Sequence, residues 1–558
     1  MLVRGSCKEM DIVVDESMTA TDASKSVTEQ QPNSSERNVK SSWTVWFLVT
    51  GIIITGLVFR LMLLDAFFLD FDESMHFQAA REVTLYDAWV ASRVHTHPPL
   101  IFLFYHYWIA LGDSEMILRL PSLLFSLSAL FLGFLWMREI LGERPALAGL
   151  AFLAFSMPMI HLGALMRGYT LLLTFIFAAL YLQERFYQTG SLRALAGNCC
   201  CLILAMLTHY SAAWLILALG LMGILRIATG TFTKRMFAGW VTSQFALLGV
   251  CLALYFGHVR QFVRSDTQTA LWDFWLIDSA FDPTTTNPAY LAMMRVVEFI
   301  QYLSGPLWIF MTGLVVTGIV MLFKKGAQEN LSKRIAIERG MLVLLPLLVA
   351  MLLFHLRIYP VGHTRHSIWL VPFVALGLAA GTWPLLKCPG TFRTIIAVLF
   401  VSLWIYTYAY PNVWKLKTTQ TPQMARKMIS IIEETVPEGE TILMDDSTRN
   451  VLEYYLVGRR VMHGKSLGSG YIEYEMGGYR IITIPKFHFY MYDIKAAWPS
   501  FQQVFGAAST KPLWVVYIGF ETPANEVSKI FKRFPPGKLI KQVKYLDNQI
   551  LQVQFQGP

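Results

Sequence analysis

The stretch DAFFLDFDESMHFQAAREVTLYDAWVASRVHTHPPL, residues 65–100, holds six carboxylates, three histidines and two arginines directly after the first strongly apolar segment. Around it the chain is written for lipid. Apolar runs of about 20 residues recur from Trp43 to Tyr410, each long enough to cross a hydrocarbon core about 30 Å thick. Backbone groups find no partners in lipid, so spans are helices or closed barrels, and uninterrupted apolar runs select helices. Within the loop, Met75, Ala79, Val83, Tyr86 and Val90 follow Asp72 at near-helical spacing, with Arg81, Glu82 and Asp87 elsewhere. That pattern predicts a helix lying in the membrane interface. Pro98-Pro99 opens a second short apolar stretch, 98–110, closed by Asp113 and Glu115 and read as a second interfacial helix.

At 558 residues, 54% hydrophobic and 15% charged, with a mean hydropathy of +0.45, the chain is not an ordinary soluble globule. Spans are expected at 43–64, 117–137, 145–165, 169–184, 194–208, 210–226, 236–257, 300–323, 340–356, 366–386 and 393–410. The fold class is therefore a polytopic α-helical membrane protein with about eleven spans plus interfacial helices. Residues 1–42, rich in Ser, Thr, Glu and Asp, read as a disordered cytoplasmic tail. Residues 43–410 form the transmembrane domain, and 411–558 an α/β domain outside the cytoplasm. In that domain ETILMDDS, RIITI, LWVVYIG and the final KLIKQVKYLDNQILQVQF read as strands. Helices are expected near 422–435, 448–456, 497–507 and 523–533. None of the six cysteines lies in 411–558, so no disulfide framework forms there, and Cys199, Cys200 and Cys201 lack metal-ligand spacing.

Basic residues set the orientation. Arg138 and Arg144, Arg185 and Arg193, Arg226, Lys234 and Arg235, Lys324 to Arg339, and Lys387 with Arg393 fall in one set of alternate loops, which is the cytoplasmic set. The opposite set holds the 65–116 loop, Arg167, His209, the 258–299 loop and the 355–366 turn. At the outer ends of the spans it gathers Asp70, Asp72, Glu73, His76, His97, Arg167, His209, Arg357, Tyr359, His363, Arg365 and His366. Singly, each has an ordinary explanation as a helix cap, a snorkelling cation or an interfacial ring. Together they put acids, cations and imidazoles on one face while the other face carries cations. Ionisable groups at membrane depth line cavities or pair with one another, so this face is the candidate site.

The order FLDFDESMHF, HPPL, LRLPSLLFSLSAL, MRGYTLLL, THYSAAW and YPVGHTRHSIWLVPF resembles the GT-C glycosyltransferases, with protein O-mannosyltransferases and lipid A aminoarabinose transferases as the nearest kinds. The resemblance covers about residues 43–410. It implies inverting transfer of a sugar from a polyprenyl phosphate donor to an extracytoplasmic acceptor, without a nucleotide donor. On the matching positions it implies Asp72 as the catalytic aspartate and Glu73 as its supporting neighbour. His97 stands where the lipid A transferases carry a lysine that helps hold the lipid phosphate. Arg365 matches a basic residue at the outer start of a late span. His76, Arg167, His209, Arg357, Tyr359 and His366 complete the expected substrate-binding set.

Residue chemistry points the same way. A glycosidase needs two carboxylates, one of them to protonate a poor leaving group. A phosphate monoester leaves without protonation, so one carboxylate suffices as general base on the acceptor hydroxyl. The leaving phosphate calls for cations, and guanidinium matches its oxygens in pairs. No cofactor is expected. Asp70-x-Asp72 offers a divalent metal only two carboxylates, a weak site. The expected partners are the polyprenyl-linked donor, membrane lipids and an extracytoplasmic acceptor of lipid, glycan or protein, with no nucleic acid. A bacterial inner membrane with a periplasmic outer domain is the expected location. The alternative is a non-catalytic transporter or flippase of lipid-linked sugars, although no internal repeat marks one.

Overall fold

A computed structural model describes residues 43–93, 97–228, 232–260, 287–324, 333–387, 389–416, 421–486, 488–506, 512–518, 527, 529, 537–546 and 548–555. The tail expected over 1–42, loop residues 261–286, and all but Val527 and Lys529 of the helix expected near 523–533 lie outside the described residues. The chain divides into two units, Met1–Trp46 and Phe47–Pro558; of the first, only the opening of the helix at Trp43 is described.

Each apolar stretch expected to span is helical. Helix α1 (Trp43–Leu64) leads into the loop, where the single helix expected through Met75, Ala79, Val83, Tyr86 and Val90 is instead two, α2 (Phe71–Ala80) and α3 (Leu85–Ser92), divided at 81–84 where Thr84 caps α3; the short α4 (Leu100–Trp108) follows. Then follow α5 (Glu115–Leu141), α6 (Glu143–Phe155), α7 (Met157–Leu162), α8 (Tyr169–Thr189), α9 (Leu192–Thr208), α10 (Ala212–Ala228) and α11 (Lys234–Leu254). Pro158 separates α6 from α7, because proline cannot continue the hydrogen-bond ladder of α6. Further on come α12 (Pro288–Ser304), α13 (Trp308–Phe323), α14 (Lys333–His355), α15 (Val371–Gly381), entered through a 3₁₀ turn Arg365–Leu370, and α16 (Gly390–Trp404). Among the described residues, six helical segments are long and apolar enough to cross a membrane: Trp43–Leu64, Glu115–Leu141, Lys234–Val259, Pro288–Phe323, Arg334–His355 and Arg365–Leu386. Large apolar side chains such as Phe47, Phe245, Ile309 and Leu352 are exposed on these segments, as lipid-facing positions should be.

The 258–299 loop is overturned from residue 288 onward. Asn287 caps α12, accepting from the amides of Ala289 and Tyr290, and Pro288 stands at its first position. The Arg295–Glu298 ion pair, three residues apart, breaks the apolar run without breaking the helix. Close packing of α13 on α15 fixes the span that begins at Arg365. A Cβ at Gly318 would collide with the Gly377 carbonyl, and one at Gly381 with the Leu314 carbonyl, so small residues let these backbones approach.

The carboxyl-terminal part is a mixed seven-stranded sheet of β1 (Thr441–Met444), β2 (Lys465–Gly468), β3 (Tyr471–Met476), β4 (Tyr479–Thr483), β5 (Leu513–Tyr517), β6 (Gly537–Tyr545) and β7 (Asn548–Phe555) in the order β2-β3-β4-β1-β5-β7-β6. Central β1 runs parallel to β4 and β5, with Ile442 opposite Ile481 and Trp514, while the flanking pairs are antiparallel. Helices α17 (Pro422–Thr435) and α18 (Asp446–Val457) bury Met424, Met428, Ile432, Val451 and Leu452 against Ile442 and Met444 on one face. Helix α19 (Ile494–Phe505) covers Leu443, Val515 and Tyr517 on the other. The β2–β3–β4 meander adds two strands to those expected. Gly477 and Gly478, both at positive φ, form its two-residue turn between β3 and β4. Phe68, from the loop after α1, is buried in the same cluster as Ile442, so the sheet packs on the polar loop itself.

Candidate active site

Helix α2 starts where its own side chains tell it to. The Asp70 carboxylate accepts from the Glu73 amide at 2.7 Å, and Glu73 Oε2 receives the Asp70 amide at 3.2 Å, a complete capping box. Asp72 and His76 then share one face, and His76 Nδ1 donates to the Asp72 carbonyl at 2.7 Å, which fixes its proton on that nitrogen. Glu73 points into the protein and is fully buried. Arg119 of α5 donates to both its oxygens, Nε at 2.8 Å and Nη2 at 2.6 Å, and the Met166 amide adds a further bond at 2.7 Å. Arg119 also donates to the carbonyls of Leu64, Phe67 and Phe68. One buried bidentate pair thus ties together the end of α1, the start of α2, α5 and the turn that carries Arg167. Removing one partner of such a pair costs about 3–5 kcal/mol, because the other charge is left buried.

Asp72 lies between two arginines. Arg167 Nη1 is 3.1 Å from Oδ1, and Arg365 Nη2 donates to Oδ2 at 2.5 Å. Arg167 is buried at 2% exposure and Arg365 is 39% exposed, so one cation is fixed and the other is open to a ligand. Burial pushes the Asp72 carboxyl up, but Arg167 and then Arg365 outweigh it and hold the group below the usual carboxylate range. Beside this triad runs a row of imidazoles. His76 meets His97 at 5.2 Å between ring centroids, His97 meets His209 at 5.3 Å, and His209 meets His366 at 6.4 Å. Burial, and after it the charge of Arg167, keeps His97 neutral well below its ordinary pKa. Ser211 donates its amide to His209 Nδ1 at 3.2 Å, which leaves the His209 proton on Nε2. Tyr169 packs on His209 at 5.3 Å, and its buried hydroxyl has no hydrogen-bond partner among the described residues.

Asp70 sits differently. Burial, then the charges of Glu73 and Asp72, push its carboxyl up to about 7. A carboxyl with a folded pKa above its unfolded value costs the fold stability as pH rises from about 4 toward the folded pKa. Asp70→Asn keeps a capping oxygen and removes the titration. The thermal midpoint of Asp70→Asn minus that of wild type should therefore grow between about pH 4 and pH 7. A difference that stays flat across that window would return Asp70 to an ordinary carboxylate pKa.

The structure brings together Asp72, His76, His97, Arg167, His209, Arg365 and His366, drawn from five separate stretches of sequence. Tyr359 joins at the edge, its hydroxyl donating to the His366 carbonyl at 3.2 Å. Arg357 is not one of the two arginines on Asp72. It is exposed at the end of α14, where φ 55° turns the chain out of the helix. His363 is likewise exposed and rests against Tyr302 at 4.9 Å. Among the described residues, no three His, Cys, Asp or Glu side chains converge as metal ligands. Arg119 and Tyr169 are the site residues that sequence reasoning missed. Both lie inside the motifs LRLPSLL and MRGYTLLL, and an arginine at the third position of the span expected over 117–137 was the available signal.

A protein-family model described as dolichyl-phosphate-mannose-protein mannosyltransferase matches residues 96–256, from His97 through the spans that carry Arg119, Arg167 and His209. ArnT from Cupriavidus metallidurans, solved in the apo state, is similar over 91% of this chain and 98% of its own, at 13% identity and a TM-score of 0.52. The fold is that of the GT-C glycosyltransferases. Two further structures are similar to this chain over less of its length. The S. cerevisiae protein O-mannosyltransferase Pmt1-Pmt2 complex bound to the sugar donor aligns over 40% of this chain and 34% of its own, with 18% identity and a TM-score of 0.33. The oligosaccharyltransferase AglB from Archaeoglobus fulgidus, in complex with an inhibitory peptide and a dolichol-phosphate, aligns over 75% and 64%, with 9% identity and a TM-score of 0.45. No curated protein matches this chain by sequence.

Proposed function

We propose that this chain is an inverting glycosyltransferase that moves a sugar from a polyprenyl phosphate carrier to a hydroxyl of a lipid, glycan or protein acceptor. The reaction takes place on the outer side of a bacterial inner membrane, with residues 411–558 in the periplasm. The observation that carries this reading is the Asp72 carboxylate held between Arg167 and Arg365. Asp72 is ionised and takes the acceptor's hydroxyl proton. The acceptor oxygen then attacks the anomeric carbon from the face opposite the carrier, and the carbon–phosphate oxygen bond breaks with its electron pair leaving on the phosphate. Arg365, half-exposed, turns from Asp72 to the departing phosphate, while Arg167 stays on Asp72. Loss of one guanidinium partner raises the basicity of Asp72 at the moment it receives the proton. The imidazole row and Tyr169 offer hydrogen-bonding groups to sugar hydroxyls. The reading uses the two arginines as its cations and assigns no step to a metal. The description of the matching family model, which names a dolichyl phosphosugar, supports a polyprenyl phosphosugar as donor.

The test supplies purified protein in lipid nanodiscs with undecaprenyl or dolichyl phosphate carrying labelled mannose, glucose or 4-amino-4-deoxyarabinose. Lipid A, peptides and glycans serve as acceptors. One donor should be consumed, giving free polyprenyl phosphate and a glycoside of inverted anomeric configuration. Movement of intact phosphosugars across vesicles, with no donor consumed, would make the protein a flippase instead.

A further inference from the structure

Helix α2 presents three faces. Asp72 and His76 look into the candidate site, Glu73 and Phe77 into the membrane-domain core, and Phe71, Gln78 and Arg81 onto the sheet domain. The partner on that third face is α18, through a stripe at helical spacing. Gln78 Nε2 donates to the Asn450 carbonyl at 3.3 Å, and Arg449 Nη1 donates to Gln78 Oε1 at 3.1 Å. Arg81 donates to the Glu453 carboxylate and to the Gly458 carbonyl. Arg449 pairs with the other oxygen of the same Glu453, and with Asp446 at 2.8 Å. Two guanidiniums and two carboxylates therefore balance at a contact where Arg81 and Glu453 are each 2% exposed. The Phe77 ring adds an edge contact to Tyr454 at 5.1 Å.

The sheet topology explains why this contact can be so well defined. Helix α18 leaves the carboxyl end of central β1, and His488, which meets Phe71 at 5.8 Å, follows the carboxyl end of neighbouring β4. Asp445 ties the two segments together, accepting from the amides of Thr448 at 2.8 Å and Phe489 at 3.0 Å. In α/β folds that edge is ordinarily where a ligand binds. Here it receives the helix that carries Asp72.

We propose that Glu453 is a positioning residue for Asp72: through Arg81 it sets the roll of α2 and so the line along which the carboxylate meets the acceptor. This rests on the reading of Asp72 as the general base. Glu73 pins the start of the helix, and Arg81, nine residues past Asp72, pins its end. A roll of about 10° moves a carboxylate roughly 5 Å from the helix axis by about 1 Å, and a misplacement of that size costs about 10²-fold in rate. Buried ion pairs are poor stabilisers compared with apolar packing of the same volume, so a network of this kind is better suited to fixing geometry than to adding stability.

The experiment uses the full chain in nanodiscs with labelled undecaprenyl phosphomannose and dolichyl phosphomannose, and compares Glu453→Gln, Glu453→Asp, Gln78→Ala and Asp72→Asn. Glu453→Gln should lower kcat by about 10–100-fold with donor KM within about twofold, and amide exchange over residues 71–80 should quicken by about 10-fold. Glu453→Asp should recover part of kcat. Gln78→Ala, which leaves every charge in place, should lower kcat by about 3–10-fold and decides the matter if Glu453→Gln does not fold. Folded Glu453→Gln and Gln78→Ala proteins with wild-type kcat would overturn the proposal. So would lowered stability with unchanged kcat per folded molecule. Activity retained by Asp72→Asn would instead bring down the reading of the base.

Discussion

Asp72→Asn should leave a folded protein that binds donor and transfers no more than about a hundredth of the wild-type amount per unit time. General-base catalysis contributes about 10²–10⁴-fold. The amide keeps the shape of the carboxylate, and its oxygen can still face Arg167. Its NH₂ group then faces Arg365, donor against donor, so the second cation is released rather than held. Stability should change little, because Asp72 is partly exposed and Glu73, not Asp72, carries the bonds that tie α2 to α5. Donor binding should hold or tighten, since Arg365 no longer divides its hydrogen bonds between the aspartate and the phosphate. Single-turnover transfer and donor affinity, measured on the same preparation, separate these terms. Turnover above about a tenth of wild type would remove the base role from Asp72.

How much of this was legible beforehand depends on how far apart the partners lie in sequence. The capping box Asp70-Phe71-Asp72-Glu73 is local, and the interfacial helix it opens follows from the spacing of Met75 and Ala79. The convergence of Arg167, His209 and Arg365 was readable by a different route. Membrane topology sorts loops onto two sides, so residues hundreds of positions apart share a face without any contact being known. Where topology gives only the side, it cannot choose the partner. Arg357 and Arg365 both belong to the 355–366 turn, yet Arg357 ends a helix in a left-handed conformation and Arg365 begins one over Asp72. Helix α12 was hidden because Arg295 and Glu298 interrupt its apolar run, although each satisfies the other. The pairing of Arg81 with Glu453 spans 372 residues and two kinds of architecture. No periodicity within either helix carries it, since an exposed charged stripe and a docked one look the same in sequence.

Arg365 separates anchor from catalyst through the contrast between two substitutions. A cation at the outer start of a span can merely reach for lipid headgroups, and such a residue tolerates lysine and loses little on truncation. The geometry places Arg365 on Asp72 instead, with 39% of its side chain open to a ligand. Its planar fork can hold the carboxylate and then two phosphate oxygens, whereas a lysine offers a single charged point. In the proposed transfer the leaving phosphate gains charge as the glycosidic bond breaks, so a bond from Arg365 strengthens in the transition state and acts on turnover as well as on binding. Loss of one such preorganised donor costs about 10²–10³-fold in turnover. Arg365→Ala should therefore lower kcat by about that factor and weaken donor binding. Arg365→Lys should restore most of the binding, which follows charge, and only part of the turnover, which follows geometry. The Asp72 carboxyl should also rise toward its ordinary range in Arg365→Ala, because Arg167 alone then opposes the effect of burial. The acid limb of the pH–rate profile would move to higher pH in Arg365→Ala and stay near its wild-type position in Arg365→Lys. Near-normal kinetics in both variants, with an unmoved acid limb, would make Arg365 a headgroup anchor and leave the departing phosphate to another cation.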